Sequence, residues 1–143
     1  MEMYKEIKNF DRMIEVARDF ATKKHEGQFR KDGQPFITHP AEVARRLTAK
    51  NMPKVMIVVA WLHDVIEDTD ATYEDLFRIG MPFYVVRHVE HMTKRPDQQY
   101  IKDYIEGVVA PCVVCNFVKE ADNEHNASTV TEQMLAMGSP PRS

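Results

Sequence analysis

Several things are scarce in this chain, and each scarcity excludes a class of protein. Its 143 residues include only two cysteines, Cys112 and Cys115, in a single C-x-x-C with no second pair beside it. A redox pair or half a zinc site is conceivable on that spacing, but no βαβ pattern surrounds it. The two thiols sit in an apolar helical pattern and are read as buried core residues, the usual place of free cysteine. A basic excess is also missing, because 19 Lys and Arg stand against 22 Asp and Glu for a formal charge of −3. Nucleic-acid binders generally carry a basic face that neutralises phosphates, so no nucleic-acid partner is expected. The longest apolar run, Val55 to Leu62, falls well short of the roughly 20 residues that span a bilayer. The N-terminus, MEMYKEIKNF, is charged from its second residue and does not read as a secretory leader. A cytoplasmic protein without a membrane partner is therefore expected.

There is likewise no low-complexity tract, internal repeat or long Gly/Ser linker. One domain over residues 1–138 is expected, with 139–143 as a disordered tail. A chain of this size can bury a single sizeable core. The 43% hydrophobic and 29% charged composition is that of an ordinary globular protein.

What is present is mostly helical periodicity. Met13, Val16, Ala17, Phe20 and Ala21 form one stripe, with Gly27 near a C-terminal cap position. QFRKDGQPFI carries Asp32-Gly33 and Pro35 and reads as an ordered loop. Thr38-His39-Pro40 opens a second helix, with Pro40 at its first position and Val43, Ala44 and Leu47 facing inward. PKVMIVVAWLHDVIEDT is apolar almost throughout before His63 and reads as one central helix surrounded by others. Thr72 to Asp75 resembles a capping box that starts a short helix ending at Gly80. Further helices are expected from Pro82 to Met92, from Asp97 to Ile105, and from Pro111 to about Asn126. Val108, Val109, Val113 and Val114 also suit a strand, but a strand lacking a partner is unattractive, and the expectation is an all-α bundle.

The informative anomaly is His63-Asp64 followed by Glu67-Asp68, four ionisable groups at the end of the most hydrophobic segment. Buried charge is costly unless paired or metal-bound. On one continuous helix His63 stacks over Glu67 and Asp64 over Asp68, one turn apart. His63 and Asp64 diverge by about 100°, so they converge only on something at the helix flank. A divalent cation meets that requirement, and imidazole with carboxylate suits Mn2+, Fe2+ or Zn2+. Glu67 and Asp68 then stand near its open positions, placed to act as acid and base. A solvated acidic helix end with an ordinary core histidine explains the same residues equally well. His88 and His91 are three apart but lack a third ligand nearby and read as a surface feature.

Three segments decide between these readings. HEGQFRKDGQPFITHPAEVA, WLHDVIEDTDAT and VKEADNEHNAST together resemble, in type, order and spacing, the motifs of RelA/SpoT-type (p)ppGpp hydrolase domains of the HD superfamily, including small single-domain alarmone hydrolases. The resemblance spans residues 14 to 129. It implies an HD-domain helical bundle in which His39, His63, Asp64 and Asp122 hold one divalent metal ion, Mn2+. It further implies that Glu67 and Asp68 serve the water and the leaving group, and that Arg30, Lys31, Asn126 and Thr129 contact the nucleotide. The implied reaction removes the 3′-pyrophosphate of ppGpp or pppGpp. The implied partner is a small-molecule nucleotide, with a homo-oligomer compatible. Asp122 and Asn126 share one helical face, and His125 is expected to point elsewhere.

The last motif departs from the family's KLADRLHN at Glu120, Asn123 and Glu124, where apolar contacts are expected to be lost. The sequence also ends soon after Thr129, where such domains continue, and a synthetase activity is not expected. Rival readings are an HD phosphohydrolase acting on NADPH, a nucleoside monophosphate or a dNTP, or a catalytically inactive nucleotide-binding HD domain.

Overall fold

The computed structural model describes residues 4–93 and 113–137. Seven helices follow one another in them: α1 Phe10–Lys24, α2 Thr38–Ala49, α3 Lys54–Leu62, α4 Val65–Asp68, α5 Tyr73–Arg78, α6 Phe83–Met92 and α7 Val113–Met137. The described residues hold no strand, and the isolated bridge Phe29–Pro35 merely closes a loop. An all-α bundle is what the sequence led us to expect. No helix among the described residues is long and apolar enough to cross a membrane.

α3 is the hub of the bundle. Met56, Ile57, Val58, Val59, Ala60 and Leu62 are buried, because α1, α2, α6 and α7 all pack against it. Val59 and Ala60 join Val43 and Leu47 of α2 and Cys115, Val118 and Ala121 of α7. Val58 and Leu62 face Met13 and Ala17 of α1 and Val85 and Val89 of α6. A helix without a polar face is stable only when enclosed in this way. Leu62 is 0% exposed, so truncating it to Ala costs roughly 2–5 kcal/mol.

Side-chain caps set the starts of α1 and α5. Asn9 accepts the Arg12 amide at 3.1 Å and starts α1. Thr72 and Asp75 form the reciprocal capping box expected of them, at 3.1 and 3.0 Å. Gly80 takes φ +102°, and a Cβ there would meet Ile7 Cγ1 at 2.7 Å. Glycine at this position lets the N-terminal arm dock through the Ile7 amide on the Gly80 carbonyl, 2.8 Å.

Three boundaries depart from expectation. α2 begins at Thr38 and not at Pro40, because the turn bonds Thr38 N to Pro35 O and His39 N to Phe36 O already wind the chain. α7 runs on to Met137 past Asn126, since the next strong helix stops are Gly138 and Pro140. The central segment is not one helix, as it breaks at His63-Asp64 between α3 and α4. His63 Nδ1 donates to the Ala60 carbonyl at 2.5 Å, the acceptor that a continuing helix offers to the Asp64 amide. Asp64 then takes φ −106°, ψ −5°, the bridge conformation common at functional turns. The helix expected over Asp97 to Ile105, together with Val108, Val109, Cys112 and the tail at 139–143, lies outside the described residues.

Candidate metal centre

The break between α3 and α4 brings two donors to one point. His63 and Asp64 are adjacent, and their side chains meet, with Asp64 Oδ2 3.1 Å from His63 Nε2. His39 enters from the first turn of α2 and Asp122 from the middle of α7. Each of the four offers a donor atom, and these atoms all lie within 4.8 Å of one another. Asp122 Oδ1 is 2.5 Å from His39 Nε2 and 3.3 Å from His63 Nε2. Asp64 Oδ2 is 3.1 Å from His63 Nε2 and 3.6 Å from His39 Nε2. His39, His63 and Asp122 are 3, 3 and 4% exposed, so the cluster sits where unpaired charge is not tolerated.

The donor chemistry asks for a cation. With Nδ1 committed to the Ala60 carbonyl, a neutral His63 aims the Nε2 lone pair at two carboxylate oxygens. That arrangement is repulsive unless a proton or a metal ion stands between them. Burial on its own lowers the His63 pKa, but the Asp64 charge and the Asp122 hydrogen bond raise it well above the ordinary value. Burial likewise raises Asp64 and Asp122, yet His63 draws Asp64 down, and hydrogen bonds from His39 and His63 hold Asp122 far below the usual carboxylate range. Two imidazole nitrogens and two carboxylates converging in a buried site therefore fit a divalent ion. Lys119 Nζ lies 2.9 Å from the other Asp122 oxygen and leaves Oδ1 turned toward the histidines.

The cluster forms one wall of a cavity of about 510 Å³, within the range of small-molecule sites. Arg30, Lys31 and Lys119 contribute positive charge, Phe29 and Phe36 apolar surface, and Glu67 and Asp68 two further carboxylates. Arg30 reaches across to Asn126 Oδ1 at 3.0 Å, joining the loop to α7. Burial, then the charges of Asp64 and Glu67, push Asp68 up to about 6. A carboxyl near that value exchanges protons readily close to neutral pH.

Of the residues singled out in the sequence, His39, His63, Asp64, Asp122, Glu67, Asp68, Arg30, Lys31 and Asn126 come together at this cavity or in the four-donor cluster. Thr129 lies on α7, but its side chain is outside the described part. Cys115 is buried, and its Sγ faces the His88 carbonyl at 3.5 Å, a core thiol as expected. His88 and His91 are each partly buried on α6 and stand apart from the four-donor cluster.

One expectation about α7 is corrected. His125 does not point elsewhere: its Nδ1 lies 2.8 Å from His39 Nδ1. Burial, then the charges of His39 and Arg30, bring its pKa down to about 4. Glu120 and Asn123 are exposed. Glu124 forms ion pairs with Arg46 at 3.6 Å and Lys50 at 3.3 Å, tying α7 to α2 by charge.

Sequence reasoning passed over three further contributors. Lys119 stands three residues before Asp122, a spacing that shares a helical face and could have drawn attention. His25, 2% exposed, bonds Gln28 Oε1 at 2.9 Å, and Gln28 Nε2 donates to the Asp68 carbonyl at 2.7 Å. This chain braces α4 against the loop that carries Arg30, and its only sequence signal is the HEGQ run before FRKDG.

Comparison with known proteins agrees with the geometry. A family model described as HD domain matches residues 17–138. A guanosine-3′,5′-bis(diphosphate) 3′-pyrophosphohydrolase of Aquifex aeolicus is 42% identical over 94 residues, 65% of this chain and 13% of that protein. The bifunctional (p)ppGpp synthase/hydrolase SpoT of Escherichia coli is 46% identical over 71 residues, 50% of this chain and 10% of that protein. The chain thus spans a small fraction of the length of these relatives. A solved structure of a metazoan ortholog of SpoT, described as hydrolyzing ppGpp and playing a role in starvation responses, superposes with a TM-score of 0.67 at 26% identity. The match covers 77% of this chain and 65% of that one.

Proposed function

The chain belongs to the HD domain family, and from that premise we propose that it hydrolyses the 3′-pyrophosphate of ppGpp or pppGpp, giving GDP or GTP and pyrophosphate. One observation carries the reading: three members of the four-donor cluster, an acid pair and three cationic side chains line a single cavity. Similarity to proteins named for this activity supports the choice of substrate.

His39, His63, Asp64 and Asp122 are the residues that would hold the ion, which we take to be Mn2+. When bound, a divalent ion supplies Lewis-acid activation of water and of a phosphoryl oxygen. The cavity itself is rich in acid, with Asp32, Asp64, Glu67, Asp68 and Asp122 against Arg30, Lys31 and Lys119. A polyphosphate is repelled from such a surface unless a cation offsets the carboxylates.

The side chains then divide the work. Arg30 and Lys31 engage the phosphates, and Arg30, already bonded to Asn126, sets the distance between loop and α7. Glu67 and Asp68 handle the protons. Asp68, at about 6, is suited to hold a proton and deliver it to the departing 3′ oxygen, while Glu67 orients the attacking water. The P–O bond to the ribose 3′ oxygen breaks as water adds to phosphorus, so one water is consumed for each pyrophosphate released. Phe29 and Phe36 provide apolar surface for the nucleoside.

The test is incubation of the purified protein with ppGpp, pppGpp, NADPH, a nucleoside monophosphate and a dNTP panel, with and without Mn2+. His63→Ala and Glu67→Ala serve as controls. Formation of GDP and pyrophosphate from ppGpp only with Mn2+, lost in both controls, is the expected result. Turnover of another nucleotide in preference reassigns the substrate. Metal-loaded protein that turns over none of them makes this a binding domain.

A further inference from the structure

We infer that His125 is a positioning residue for the metal cluster: its Nδ1 accepts a hydrogen bond from His39 Nδ1–H and so presents the His39 Nε2 lone pair to the ion. The inference deepens the metal-site reading above and rests on it, but is independent of which nucleotide is cleaved.

The geometry begins with His39, whose two nitrogens face two residues of the same helix. Nε2 points at Asp122 Oδ1, 2.5 Å away, and Nδ1 at His125 Nδ1, 2.8 Å away. Asp122 and His125 are three apart on α7, a spacing that places both on one face. One helix therefore grips both ends of an imidazole supplied by another.

The contact between the rings is a hydrogen bond and not face-to-face stacking. Their planes are inclined by only 12° and their centroids are 5.0 Å apart. An N···N separation of 2.8 Å plus the two ring radii accounts for that whole distance. The rings thus lie side by side in nearly one plane, the arrangement in which an in-plane N–H meets an in-plane lone pair.

Two nitrogens at this separation need exactly one proton between them, and the metal decides which ring carries it. A His39 that offers Nε2 to a cation keeps its proton on Nδ1. His125 Nδ1 must then be the acceptor, with its own proton on Nε2. His125 in turn is held through its backbone, since Ser128 Oγ donates to the His125 carbonyl at 2.9 Å and Arg46 reaches Ser128 Oγ at 3.5 Å.

Two variants and one spectrum test this. His125→Phe keeps the ring and deletes the acceptor, while in His125→Asn the side-chain Oδ1 can stand where Nδ1 was. Mn2+ affinity is read from the electron paramagnetic resonance signal of free Mn2+ during titration. Loss of an outer-shell partner typically weakens metal binding roughly 10–100-fold, and that loss is expected for His125→Phe, with most of the affinity recovered in His125→Asn. His125→Phe binding Mn2+ within about twofold of the unmodified protein overturns the inference. Should His125→Phe fail to fold, long-range 1H–15N correlation on the unmodified, Cd2+-loaded protein decides. A protonated His39 Nδ1 coupled across the hydrogen bond to an unprotonated His125 Nδ1 supports the assignment, and the reverse protonation refutes it. Neither readout uses turnover, so a protein inactive toward ppGpp leaves this result standing, and a failure here leaves the hydrolase reading intact.

Discussion

Replacing Asp122 with Asn tests the metal cluster at its most connected member. Its carboxylate meets His39 and His63 through Oδ1 and Lys119 through Oδ2. The carboxamide has nearly the same shape, so the perturbation is mainly the loss of one negative charge and one anionic ligand. A ligand that binds only the folded state at 100 times its Kd stabilises it by about 2.7 kcal/mol. For a domain of this size that is a rise in Tm of about 8 °C, at about 3 °C per kcal/mol. Since losing even an outer-shell partner costs up to roughly 100-fold in affinity, losing a direct ligand costs at least as much. At the same metal concentration the variant then retains about 0.4 kcal/mol of linkage, or about 1 °C. The assay is differential scanning calorimetry of both proteins with Mn2+ and with chelator, each protein compared with itself, so that any loss of intrinsic stability cancels. An Asp122→Asn variant whose Mn2+-induced shift equals that of the unmodified protein would refute the assignment of Asp122 to the metal cluster.

Two other outcomes follow from the same structure. Glu67→Gln and Asp68→Asn leave the four donors in place, so both are expected to keep the full Mn2+-induced rise in Tm while turnover of ppGpp falls by roughly 10²–10⁴. Turnover at the unmodified rate in both would remove the acid–base pair from the reaction. Glu42 is held down to about 2 by its hydrogen bond with Arg45, against opposing burial, and by Arg46. A carboxylate depressed in the folded state contributes stability above its unfolded value of 4.5 and loses that contribution as pH falls toward 2. Glu42→Gln is therefore expected to lower the unfolding free energy near pH 6, read from urea titration, by no more than about 1 kcal/mol because the partners are solvent-screened. The difference should vanish near pH 2, and a gap that is the same at both pH values contradicts the ion-pair account.

Much of the helix inventory was legible because it depends on local terms. The stripe of α1, the capping box of α5 and the enclosed character of α3 each follow from side chains within a turn or two of one another. So does the anomaly of a His-Asp pair at the end of the most apolar segment. The break at 63–64 was not legible, because the imidazole competes for a carbonyl that propensity alone assigns to the next amide.

The family pattern placed His39 and Asp122 in the cluster, and their residue types are those a divalent ion requires. Periodicity alone does not say that α2 and α7 cross so that residues 83 apart in the chain meet at 2.5 Å. The role of His125 lay beyond sequence reasoning for the same reason. Its spacing from Asp122 was visible, but the ring it faces is 86 residues away. Glu124 illustrates the converse, since a departure that read as lost packing becomes an ion pair once Arg46 and Lys50 lie opposite it. Sequence by itself thus determined which donor and charged residues the chain carries and most of its helices, because periodicity and residue type act locally. Tertiary structure alone decided which nitrogen faces which partner, because that depends on how the helices rotate and cross when their apolar faces pack.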